Sequence, residues 1–132
     1  MTPIKITTIL TTQTENGIDK IENKFAGSLT TSANTRELLY TEDNNITTHC
    51  TINSNSVTLV RTGAIETKME FSLNQTTTTQ YKIPEGIIEM EIETSSLEFQ
   101  QNASQGNILI TYTLNMCGTP VAKNQLRILW TY

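Results

Sequence analysis

The sequence predicts an all-β fold: a closed or nearly closed antiparallel meander β-barrel of eight to ten strands, in a single domain over residues 1–132. Three observations predict it. Threonine accounts for 25 residues and isoleucine for 15, while alanine is scarce. Both abundant types are β-branched, stiff at χ1, and fit a pleated surface better than a helix. Apolar and polar residues alternate with a period of two along most of the chain, the pattern of half-buried strands. The alternating stretches are joined by short turn-like links, with no alternation of strand and helix and no internal repeat. Such a meander has exposed edges unless it closes, and closure into a barrel removes them.

The elements follow in order. Ile4 to Gln13 is a strand with Ile4, Ile6, Thr8 and Leu10 on one side. Asn16-Gly17 signals a hairpin of the type I′ kind, because both residues tolerate positive φ. Ile18 to Leu29 reads as a strand bent or bulged near Ala26-Gly27. Arg36 to Glu42 carries Leu38, Leu39 and Tyr40. It reads as a strand, with a short helix as the alternative because Asn34 and Glu37 imitate a capping box. Asp43-Asn44-Asn45 is a turn. In Ile46 to Ile52, residues Ile46, Thr48, Cys50 and Ile52 share a face.

Val57 to Leu73 forms a central hairpin turning at Thr62-Gly63-Ala64. Its second strand puts Thr67, Met69, Phe71 and Leu73 on one face and Glu66, Lys68, Glu70 and Ser72 on the other. Its first strand aligns Arg61 with Val57 and Leu59. Asn74 to Thr78 reads as a polar link. Thr79, Tyr81 and Ile83 then share a face until Pro84 ends the strand. Ile87 to Leu97 is the clearest strand, with Ile88, Met90 and Ile92 opposite Glu89, Glu91 and Glu93; the three glutamates read as a solvated face. Glu98 to Asn107 reads as a loop with room for one helical turn. Ile108 to Met116 is a strand with Ile108, Ile110, Tyr112 and Leu114 together. After a turn at Gly118-Thr119-Pro120, Gln125 to Tyr132 places Leu126, Ile128 and Trp130 on one face. A chain ending inside a strand suits a last strand that pairs with an early one.

Charge and motif content narrow the function classes. The net charge is −4 and the nine basic residues are scattered, which argues against nucleic acid or an anionic membrane surface as partner. No segment reaches 18 apolar residues, and the first ten residues lack a basic start and an apolar core, so neither a membrane span nor a signal peptide is expected and the expected compartment is the cytoplasm. Asn45-Ile46-Thr47, Asn74-Gln75-Thr76 and Asn102-Ala103-Ser104 match the glycosylation pattern by chance in a chain this rich in Asn and Thr. With one His and two Cys, a metal site is not expected and no cofactor is implied. His49 and Cys50 are adjacent in a strand and point to opposite faces, which prevents one from activating the other. Cys50 and Cys117 are expected to be reduced in a cytoplasmic protein. No nucleophile elbow, P-loop, dinucleotide fingerprint or calcium loop is present, so the chain is not expected to be an enzyme.

The order Leu38-Leu39-Tyr40-Thr41-Glu42, Val57-Thr58-Leu59-Val60-Arg61-Thr62-Gly63-Ala64, Thr79-Gln80-Tyr81-Lys82, Ile108-Leu109-Ile110-Thr111-Tyr112 resembles the YwiB-like family of small bacterial proteins. The Arg-Thr-Gly-Ala piece followed by an alternating strand carries most of the likeness, which runs from about Ile18 to Trp130. The resemblance implies a lipocalin-like, or calycin-like, closed β-barrel. It implies no reaction, and by analogy of fold alone it suggests a ligand cavity.

Two functions from different classes are compatible with such a barrel. It can hold a small, partly apolar ligand, or it can be filled by side chains and act through its surface as an interaction or structural module. Val57, Leu59, Met69, Phe71, Met90, Ile92, Tyr112 and Trp130 are large inward residues that favour filling, whereas methionine can reshape around a ligand. Arg61 is the centre of the candidate ligand site. A guanidinium on an inward face needs water at the barrel mouth or an inward partner. Glu42 and Tyr40 share the face of Leu38 two strands earlier: Glu42 is the expected bidentate acceptor, and Tyr40 the expected donor to the same carboxylate. Tyr81 and Tyr112 complete the candidate set as cavity-lining aromatics. If a ligand binds, Arg61 is the group expected to meet an anionic head.

Overall fold

In a computed structural model that describes residues 1–132, the side chain of Asn44 excepted, the chain forms ten strands and one short 3-10 turn. The strands are β1 (Thr2–Thr14), β2 (Gly17–Thr31), β3 (Arg36–Glu42), β4 (Ile46–Ile52), β5 (Ser56–Thr62), β6 (Thr67–Ser72), β7 (Thr76–Ile83), β8 (Gly86–Gln101), β9 (Gln105–Met116) and β10 (Thr119–Thr131). All pair antiparallel in one sheet of order β6-β5-β4-β3-β2-β1-β10-β9-β8-β7. Every neighbour pair but one is consecutive in sequence. The exception joins β10 to β1, with Ile6 opposite Trp130 and Leu10 opposite Leu126. The sheet curls into a nearly closed barrel, and among the described residues no helix is long and apolar enough to cross a membrane.

The missing ladder lies between β6 and β7, strands adjacent in sequence. One bridge holds one end of this seam: the Glu66 and Lys82 amides each donate to the other's carbonyl, at 3.1 and 2.9 Å. Beyond it, side chains replace the backbone ladder. The Thr79 hydroxyl donates to the Lys68 carbonyl at 2.8 Å, and the Thr77 hydroxyl donates to the Glu70 carbonyl. Thr79 and Thr67 hydroxyls also meet at 3.2 Å. A run of threonines on β7 thus satisfies carbonyls that would otherwise face an unpaired edge.

One half of the barrel is solid. Trp130, Phe71, Ile6, Ile92, Ile108, Ile110 and Ile128 are fully buried there, and Phe71 tilts against Tyr112 with ring centroids 4.7 Å apart. Gly106 lies directly beneath Trp130, where any Cβ would overlap the indole. Gly27 has the same role at the β2–β3 crossing: a Cβ would come within 2.6 Å of the Leu39 carbonyl and 2.7 Å of Ile6 Cδ1. The bend expected near Ala26-Gly27 is therefore a place of close strand approach.

Several expectations need correction. Glu98 to Asn107 is not a loop: β8 runs to Gln101 and β9 starts at Gln105. Polarity misled there because both faces of the strand ends are solvated. A register shift between Thr94 and Ser96 also swaps the inward parity of β8, so Thr94 faces in before it and Leu97 after it. Ile88 lies in the β7–β8 arm, where its face is exposed, and Met90 is half-buried. Thr76 to Thr78 belong to β7, and β10 begins at Thr119, well before Gln125. At the first hairpin Gly17 alone has positive φ, 121°, and it pairs with Thr14, so the turn is not type I′. Cys117 (φ 52°) and Gly118 (φ 78°) instead supply the two positive values at the β9–β10 turn.

Candidate functional site

The other half of the barrel is hollow. A cavity of about 250 Å³ opens at the end where the β1–β2, β7–β8 and β9–β10 hairpins extend. Tyr40, Glu42, Arg61, Tyr81 and Tyr112, the five residues singled out from the sequence, all line it. Leu10, Leu59, Met69 and Leu126 form its apolar floor and walls.

Register explains how strands from different parts of the chain converge. Tyr40 of β3 stands opposite Thr48 of β4, which stands opposite Arg61 of β5, which stands opposite Thr67 of β6. These four form one inward rung. Glu42 lies two residues beyond Tyr40 on the same face, so Arg61 reaches it diagonally over the buried Thr48. Arg61 Nε donates to Glu42 Oε2 at 3.1 Å and Nη2 to Oε1 at 3.2 Å, a bidentate fork. Their side chains are 24% and 22% exposed, which places the pair at the rim, partly withdrawn from water. The third donor to Glu42 is the Thr48 hydroxyl rather than Tyr40. Thr48 lies nearer because it occupies the strand between the two charges; its position with Ile46, Cys50 and Ile52 on the inward face was legible, but its pairing was not.

Three phenols share the cavity with this ion pair. Tyr40 stacks on Phe25 with centroids 5.1 Å apart and planes at 22°. Tyr81 donates to Met69 Sδ at 3.5 Å. Burial raises the Tyr40, Tyr81 and Tyr112 hydroxyls above their ordinary range; Arg61 opposes the shift at Tyr40 and Tyr81. All three are thus protonated donors throughout the neutral range, and with the remaining Arg61 N–H groups they make the cavity wall rich in donors. Asn124 was overlooked because the expected strand began at Gln125, whereas β10 begins at Thr119. It stands opposite Tyr112, is buried, and leaves its Oδ1 without a partner. The Thr94 hydroxyl, opposite Tyr112 on the other side, is also unpartnered.

His49 points outward, 3.7 Å from Glu37, while Cys50 is buried on the opposite face with its thiol pushed up to about 12 by desolvation. Neither cysteine is in a disulfide, and Cys117 is exposed. Among the described residues no three His, Cys, Asp or Glu side chains cluster as a metal site.

A family model described as a domain of unknown function, DUF1934, matches residues 4–128. The crystal structure of the ywiB protein from Bacillus subtilis is similar over 98% of this chain and 91% of that one, with a TM-score of 0.88 and 21% identity. At that identity the likeness speaks for the fold. No curated protein sequence matches.

Proposed function

The chain belongs to the DUF1934 family of YwiB-like barrels, and from that premise we propose that it is a binding protein, not an enzyme, which holds a small, partly apolar ligand in the open half of the barrel. The observation that carries this reading is the cavity. Its apolar floor of Leu10, Leu59, Met69 and Leu126 meets a rim of phenols and a neutralised ion pair. A volume of about 250 Å³ lies just under the range of roughly 300–1,000 Å³ common for ligand pockets, so the occupant is smaller than a drug-sized molecule. The reading includes a cytoplasmic location, in which Cys50 and Cys117 would stay reduced. Neither nucleic acid nor a membrane is part of this reading.

The competing reading, a filled barrel acting through its surface, draws support from the solid half around Trp130 and Phe71. Native mass spectrometry of freshly purified protein separates the two. A retained small molecule that disappears in the cavity-filling variant Thr8→Phe supports the ligand reading. A clean unliganded mass from both proteins favours the filled barrel.

A further inference from the structure

We propose that β2 is the interface for a second copy of this chain, the two copies joining edge to edge into an antiparallel dimer. This goes beyond the ligand reading and does not depend on it.

β2 pairs with β1 from Gly17 to Leu29, but β3 pairs only with Gly27 to Thr31. The other edge of residues 17–26 therefore makes no ladder with any strand, and β3 runs on past Tyr40 only by Thr41 and Glu42. This free edge is long, and residues 17–24 are exposed on both faces. Ile18 is 68% and Ile21 56% exposed, although each stands in a well-formed strand. Edge strands of this length are commonly guarded by charged side chains, lysine above all. Here Asp19 and Glu22 balance Lys20 and Lys24, so the segment carries no net charge to repel a like copy and its charges can pair across the edge.

The charge pattern selects one occupant and one register. Backbone groups that point to the free edge alternate, so an antiparallel copy must pair residues of the same parity. Setting Ile21 opposite the second copy's Ile21 places Lys20 opposite Glu22 twice, once on each side of the two-fold axis. It also opposes Asp19 to Asn23 and Gly17 to Phe25. Residues 17 to 25 all pair, and the run stops just short of Gly27, where Tyr40 of β3 already sits. A shift by two in one direction opposes Lys20 to Lys24 and Glu22 to Glu22; in the other it opposes Lys20 to Lys20. A shift by four brings Glu22 opposite Lys24, but it requires Asp19 of the copy to occupy the place of Tyr40. The self-complementary register is thus the one that the fold leaves open, as an isologous interface demands. Among the described residues, Lys20 and Glu22 take part in no ion pair within the chain.

Sedimentation equilibrium on the full chain tests this. Wild type should show twice the chain mass, Glu22→Lys should weaken association by about tenfold or more, and Lys20→Glu/Glu22→Lys should restore it. Both positions are exposed, and an unchanged circular dichroism spectrum confirms that each variant folds. A wild type that stays monomeric up to about 1 mM overturns the proposal. So does a Glu22→Lys protein that dimerises as tightly as wild type, or a double variant that fails to recover.

Discussion

Arg61 and Glu42 hold each other through two parallel hydrogen bonds across the intervening strand β4, at 3.1 and 3.2 Å. The pair closes one side of the cavity mouth and neutralises it. Being about three-quarters buried, it falls between an exposed ion pair, which contributes about 0–1 kcal/mol, and a fully buried one, which costs about 3–5 kcal/mol to break.

Arg61→Met keeps the stem and deletes the charge, leaving Glu42 with Thr48 alone. We expect a loss of about 2 kcal/mol in urea unfolding. A change within about half a kcal/mol would show instead that water solvates both charges at the rim.

Thr79→Val tests the seam. The variant keeps shape but removes the hydroxyl that serves the Lys68 carbonyl and Thr67. Thr79 is buried, so the carbonyl loses its partner without gaining water, at a cost of about 1–3 kcal/mol. Hydrogen exchange should quicken in β6 and β7 more than in β1 and β10. Uniform quickening across all strands would mean that the hydroxyl contributes to global stability only.

Stability should respond to alkali in a defined direction. Burial raises the Cys50 thiol from 9.0 to about 12 and raises the three phenols as well. Below pH 9 the folded and unfolded chains both keep these protons, and the stabilisation is fully present. Above it the unfolded chain releases them first, so stability falls as pH climbs toward 12. Cys50→Ala, although less stable at neutral pH, should lose stability with a shallower slope in this window. Equal slopes for the two proteins would contradict the burial of the thiol.

Cys117 occupies the left-handed region at φ 52°, where a side chain without local hydrogen bonding is disfavoured. Cys117→Gly should stabilise the β9–β10 turn by about 0.5–1 kcal/mol and remove the exposed thiol. A lower melting temperature in the variant would count against this account of the turn.

Much of this fold was legible in the chain. The inward faces of β1, β4, β5, β6 and β9 follow from parity alone, and the convergence of Arg61 on Glu42 follows from two strands whose apolar neighbours point the same way. Other features have no local signature. The register shift between Thr94 and Ser96 reverses parity without any glycine or proline to mark it. The hairpin arms carry alternating sequence with little core beneath them, so Ile21 and Ile88 share the parity of inward residues and are nevertheless exposed. Thr48 became a partner of Glu42 only through strand pairing. Least legible was the place of the open seam, because Leu73-Asn74-Gln75 reads like any tight connection between paired strands.

That seam fixes the order of closure during folding. Of the nine ladders, eight join strands that follow each other directly and can zip locally as hairpins. They build two separate meanders, β1 to β6 and β7 to β10, and the short link between β6 and β7 adds no ladder of its own. Only the pairing of Lys5 with Thr131, and of the residues beside them, brings the meanders into one sheet. Almost the whole chain must be looped for that step, so its entropic cost falls on a single late event. The folding rate should therefore be far more sensitive to substitutions along β1 and β10, such as Ile6→Val or Ile128→Val, than to equal losses of stability in β5 and β6.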